Sequence, residues 1–169
     1  MDKMASLRDL AMDMGAKTQF SATEAGNAMT ELAKGGLTEA DIKGGALKAT
    51  MDLAASSGME LGDSANTVVQ AMGGFGLSAN DSAQAVNALA GAAAASSTDV
   101  GPLADALSQC AAQAHTAGWS IQDTTAVLGA FADAGITGSD AGTSLKTMLQ
   151  RLGAPTDKAA AAMKKYGIN

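Results

Sequence analysis

The residue types that most often carry chemistry are scarce in this chain. Cys110 and His115 are its single cysteine and single histidine. Five positions apart on one helix, they lie roughly 140° apart around the axis at about 100° per residue, so they form no thiol–imidazole pair. Cys110 continues the apolar series Leu103, Leu107, Cys110, Ala114 and reads as a small buried hydrophobe. His115, near the end of the same helix, reads as a partner for the helix dipole. One thiol and one imidazole make no zinc site without several carboxylates, and no such cluster is visible. Gly74-Phe75-Gly76-Leu77-Ser78-Ala79 looks like a dinucleotide fingerprint, but that motif follows a strand and here a helix precedes it. Glycoside cleavage needs two carboxylates across a cleft. Of the glutamates 24, 31, 39 and 60, Glu24 and Glu39 sit in first turns and Glu31 points away from its helix's apolar face. The expectation is therefore no catalytic residue, no cofactor site and no metal site.

The remaining polar residues mark where helices begin and end. The stretch Gly118 to Leu152 shows this best. Gly118-Trp119 precedes Ser120, which caps a helix with Asp123 three residues on, a capping box with Asp in place of Glu. Thr124, Val127, Leu128 and Phe131 form one face of period 3.6. Gly135 is placed to take the left-handed conformation that stops the helix. Ile136 is placed to pack back on that helix and staple the next. Thr137, with Asp140 three residues later, is placed to satisfy an orphan amide. Ala141, Leu145, Met148, Leu149 and Leu152 line the second helix.

The same signature recurs at Gly36-Leu37-Thr38 with Asp41 and at Gly76-Leu77-Ser78 with Asp81. Trp119 holds the position of Leu37, Leu77 and Ile136, which favours a staple over a ligand platform. The spacing predicts three helical hairpins, Ser21–Ser57, Leu61–Ser97 and Ser120–Leu152, with one extra helix inserted before the third. Ser21 opens the first with Glu24 completing a capping box. A leading helix covers Met4 to Met14 with Gly15 ending it, and a short last helix follows Pro155. Glu39 to Ser57 reads as one helix weakened by Gly44-Gly45. No segment alternates as a strand does. The expected fold is all-α, about nine short helices in repeated hairpins, forming a compact bundle or short solenoid over one module, residues 1–169.

Composition narrows the function classes. Aromatic content is 3%, and there are ten methionines and one cysteine, which excludes an internal disulfide. Met1 to Met14 is charged and amphipathic, unlike a signal peptide. The uncharged runs lack the roughly 20 strongly apolar residues that a membrane span needs. The net charge is −6, and no Lys or Arg occurs between Lys48 and Lys146, an interval that holds nine acids. That interval offers a phosphate backbone nothing to displace its counterions, so no direct DNA binding is expected.

Three stretches resemble the core region of phage tail tape measure proteins: Thr18 to Gly36 (TQFSATEAGNAMTELAKGG), Phe75 to Ala79 (FGLSA), and above all Gly118 to Leu152. The resemblance covers roughly Leu7 to Leu152. It implies a non-enzymatic structural protein of the virion, lying in the tail tube lumen after assembly in the host cytoplasm. It further implies roles in tail length determination, tail assembly and genome delivery, and partners among tube, tail-tip and chaperone proteins together with copies of itself. A single helix of this length would reach only about 250 Å at ~1.5 Å per residue, so the chain is expected to be one module of a longer protein of the kind a prophage encodes. Two other classes fit an all-α chain. A helical-repeat protein-binding module would show a groove with exposed apolar residues, and a cell-wall hydrolase would show a cleft with two facing carboxylates.

Overall fold

A computed structural model describes residues 3–167, and among them every regular element is helical. The helices are α1 (Lys3–Lys17), α2 (Ala22–Lys34), α3 (Glu39–Asp41), α4 (Leu47–Ser57), α5 (Leu61–Phe75), α6 (Ser82–Ala94), α7 (Val100–Thr116), α8 (Ile121–Asp133), α9 (Gly138–Gly153) and α10 (Asp157–Lys165). A π-helical segment, Ile42–Ala46, joins α3 to α4, and a 3-10 turn, Ala79–Asp81, leads into α6.

Two departures from the sequence expectation have glycine as their cause. Glu39 to Ser57 is not one regular helix. Gly45 takes φ 139°, and the Leu47 amide reaches back to the Ile42 carbonyl, widening that turn. Gly15 does not end α1, which runs on to Lys17. A Cβ built on Gly15 would stand 2.6 Å from the Ala22 amide nitrogen, so this glycine lets the start of α2 approach α1. Gly15, inside its helix, serves close packing, whereas Gly58, just beyond the end of α4 at φ 70°, serves the turn. Sequence alone does not separate the two.

Two apolar clusters share α4 and α5. The first is built around Leu32, Leu47, Met51 and Leu61 beneath α1 and α2. The larger is built around Leu53, Val68, Leu89, Leu103, Leu107, Leu128 and Leu145. Packing within a predicted pair is light. The closest association is α9 along α7, followed by α2 against α1 and α5, α5 against α7, and α6 against α8. The turns thus send each helix onward to pack on a neighbour outside its own pair. The α9 stripe is buried at Ala141, Leu145 and Leu149, but Met148 and Leu152 stand 37% and 50% exposed.

The α7–α9 crossing is tight because it is made without side chains. A Cβ built on Gly142 would lie 2.1 Å from the Ala106 carbonyl oxygen and 2.8 Å from its carbon. Gly142→Ala is expected to destabilise by about 1–3 kcal/mol, since overpacking outweighs the ~1 kcal/mol that alanine gains over glycine inside a helix. Gly26→Ala, in α2 with nothing within 4 Å of the added carbon, has no such clash and should stabilise. Chemical denaturation of both variants checks the opposite signs.

Candidate functional site: the helix-joining turns

The polar residues that the sequence singles out gather at four turns, and these share one backbone geometry. The amides of Leu37, Leu77, Trp119 and Ile136 donate to the carbonyls of Leu32, Met72, Ala114 and Phe131, at 3.1, 2.9, 2.9 and 2.8 Å. One residue earlier, the amides of Gly36, Gly76, Gly118 and Gly135 donate to Ala33, Gly73, His115 and Ala132. The pattern is the paired closure of a Schellman turn. It requires a left-handed residue, and the four glycines supply φ of 94°, 61°, 82° and 85°.

The next residue starts the following helix. The Ser120 amide and hydroxyl donate to Asp123 Oδ2 at 3.2 and 2.6 Å, while the Asp123 amide donates to Ser120 Oγ at 3.1 Å. Thr38 and Asp41 make the same three bonds, as do Ser21 and Glu24 ahead of α2. At Ser78 the Asp81 carboxylate accepts from the amide and hydroxyl, but the Asp81 amide bonds the Ser78 carbonyl at 2.9 Å, which is why this entry is a 3-10 turn. The charge follows the geometry. The Ser21 amide and hydroxyl hold the Glu24 carboxyl below its usual range, and Thr38 does the same to Asp41. At Asp123 the Ser120 hydroxyl leads and the amide follows.

The fourth turn corrects the sequence reading. Thr137 precedes α9 in extended conformation but makes no side-chain cap, and no bond joins it to Asp140. Gly138, the first residue of α9, takes φ 58°, so this helix opens on a left-handed residue, and the Thr137 hydroxyl makes no cap. Ile136 closes the backbone turn, yet its side chain is 41% exposed and staples nothing. Leu37, Leu77 and Trp119 do pack on the core.

No candidate reactive pair is assembled. Cys110 is fully buried, and burial pushes its thiol up to about 11. His115 is exposed and meets the Phe75 ring edge-on at 6.3 Å between centroids. The buried hydroxyls of Thr50, Thr124 and Thr125 donate to carbonyls of their own helices, those of Ala46, Ser120 and Ile121. Among the described residues, Ser64 Oγ is the buried side-chain polar atom without a partner. No group of three or more His, Cys, Asp or Glu could hold a metal ion there, and no helix is long and apolar enough to cross a membrane. One bond escaped the sequence reading. The Ser97 amide donates to Asp133 Oδ1 at 2.7 Å, tying the end of α8 to the loop after α6 across 36 residues. No local pattern marks it, because Asp133 looks like any exposed acid at a helix end.

Among the described residues, two of the open grooves lie between helix pairs. One, of about 600 Å³, lies between α1 and α2 and is lined by Met4, Leu7, Met12, Met29 and Ile42, with Arg8 as its charged side chain. The other, of about 400 Å³, lies between α6 and α8, with Asp133 as its charged side chain. Neither holds two carboxylates.

Comparison with known proteins gives a consistent result. The family described as phage-related minor tail protein matches residues 8–169. The tape measure protein of Pneumococcus phage Dp-1 is 36% identical over 168 residues, 99% of this chain and 14% of the relative. The probable tape measure protein of Escherichia phage P2 is 35% identical over 166 residues, 98% of this chain and 20% of the relative. This chain thus spans a seventh to a fifth of these relatives. No solved structure matches.

The turns make two predictions. Ser120→Ala should cost about 1 kcal/mol as a lost cap, whereas Thr137→Ala should be close to neutral because its hydroxyl caps nothing. The lowered carboxyls of Glu24, Asp41 and Asp123 stabilise the fold fully above roughly pH 4.3, the ordinary carboxyl range. That contribution is lost as pH falls through their lowered folded-state values. Replacing the three by Gln, Asn and Asn should flatten the acid limb of the denaturation-midpoint profile while lowering the midpoint at pH 7.

Proposed function

Because the chain belongs to the phage-related minor tail protein family, we propose that it is a non-enzymatic structural module of a phage tail, one folded segment of a longer tape measure protein. The observation that carries this reading is where the polar chemistry goes. The cap carboxylates close helix entries, Cys110 is sealed in the core, and neither groove offers a pair of acids. Such a chain presents shape and charge but no reacting group.

The proposed setting is the lumen of the tail tube, after assembly in the host cytoplasm, where tape measure proteins take part in length determination, assembly and genome delivery. The module contributes folded surface rather than length, since none of its described helices exceeds 17 residues before a turn or loop interrupts it. Its partners are other tail proteins and further copies of itself. The apolar groove between α1 and α2 favours a related second reading, a helical module that seats a partner's apolar helix. The base-free interval from Asp52 to Asp140 suits a segment that shares a tube with DNA without adhering to it.

Mass spectrometry of gradient-purified tails should recover peptides from this chain, and their consistent absence from intact tails would refute the assignment. The isolated module should neither clear peptidoglycan nor shift duplex DNA at about 1 μM in low salt. DNA binding at that concentration that fades with salt would show that phosphate contacts dominate after all.

A further inference from the structure

Among the described residues, the last helix finds little cover within its own chain. No residue of α10 is buried, and Leu152, just before it, is half exposed. The helix is nonetheless amphipathic. Ala159, Ala162, Met163 and Tyr166 fall at i, i+3, i+4 and i+7, with Lys158 and Lys165 on one flank and Lys164 on the other. From Ala141 to the end the chain holds five basic residues and a single acid, Asp157. An apolar stripe with a basic rim is complementary to a surface that is apolar at its centre and acidic around it.

The base-free interval carries a groove with apolar walls and one acid, Asp133, at its end. The α6 and α8 helices pack side by side. Near their C-terminal ends the Ala92 carbonyl and Ser96 face Gly129, and the Ser97 amide binds Asp133. The groove between them is walled by small residues, among them Ala88, Ala92, Ala126 and Ala130, and Asp133 is its charged side chain. Because both helices end beside Asp133, their carbonyl termini add negative potential at the same place. In its own molecule α10 is joined to the end of α9 by Ala154–Thr156 and does not line this groove.

We propose that α10 of one copy docks in the α6–α8 groove of a second copy, with its apolar stripe on the alanine walls and its lysines toward Asp133 and the helix ends. This rests on the self-association proposed above and names its surface. The two surfaces differ, so the contact is heterologous. Repeated, it closes a ring or extends a filament rather than stopping at a two-fold dimer. A nine-residue helix spans only about 13 Å, so each contact is weak alone and gains from several copies acting together.

The test is sedimentation of the whole chain at low salt, with charge variants and a cross-link. Wild type should associate with concentration. Lys164→Glu with Lys165→Glu should weaken association at least tenfold, Asp133→Lys should do likewise, and mixing the two variants should restore part of it. Asp133 also holds the Ser97 amide, so a second measurement avoids dependence on that variant's folding. Chains carrying Met163→Cys are mixed with chains carrying Ala126→Cys and oxidised with diamide, Cys110 being replaced by alanine in both. A disulfide between the two different chains is expected. Association unchanged in both charge variants, with no cross-link, leaves self-association standing and overturns this surface. A cross-link found only when both cysteines share one chain overturns it in favour of docking within the molecule. Duplex DNA retained by the wild type and released by the lysine variant, with self-association unaltered, assigns the basic arm to nucleic acid and overturns it as well.

Discussion

The approach of α9 to α7 at Gly142 and Ala106 is the contact on which the larger core depends. A carbonyl oxygen occupies the place where a side chain would begin, so the two backbones come as near as helices can. That closeness lets short side chains such as Ala106, Ala114 and Ala141 exclude water. A chain with 3% aromatic residues has few aromatic side chains with which to bridge wider gaps. The same solution appears where a Cβ on Gly74 would strike Ala111 at 2.5 Å and one on Gly35 would strike Val69 at 2.3 Å. Stability therefore rests on near-contact along many short helices rather than on a few large buried groups.

Helices that are short and closely packed must end and restart often, and each end leaves amides and carbonyls without partners. The turns at Gly36, Gly76 and Gly118 resolve both ends within six residues. A left-handed glycine closes the old helix, an apolar residue anchors the corner on the core, and a Ser or Thr with an Asp opens the new one. This arrangement commits Thr38 with Asp41, Ser78 with Asp81 and Ser120 with Asp123 to closing helix ends. The same economy leaves function to the outer surface, where the charge is uneven. The middle of the chain is acidic and the end basic, and that separation is what a module built to meet its own kind or its neighbours in an ordered array would show.

The turns were legible in the sequence because their requirements are local. Glycine at a left-handed position, a capping hydroxyl and a carboxylate three residues on are all set by backbone geometry over a few residues. The α7 stripe was legible for the same reason, and Leu103, Leu107, Cys110 and Ala114 are all buried. The partners of the helices were not. Nothing in the α9 stripe says that it meets α7 rather than α8, since an apolar face specifies burial and not what covers it. The role of Gly15 was misread because a glycine near a helix end looks the same whether it terminates the helix or admits a neighbour. Thr137 and Asp140 fit the capping pattern by type and spacing, and Gly138 undid it through a backbone angle that its neighbours do not encode. The two grooves depend on long-range packing and were not legible in the sequence.

The central claim is that this chain works through packing and surface, with no reacting group. The most direct measurement is tail assembly in the parent phage carrying single substitutions in this segment, scored by electron microscopy and infectivity. Cys110→Ala and His115→Ala should both give normal, infectious tails, while Gly142→Val, which alters no chemical group but cannot fit against Ala106, should give few or none. Normal tails from Gly142→Val, or loss of infectivity from His115→Ala in particles whose tails look normal, would contradict the account.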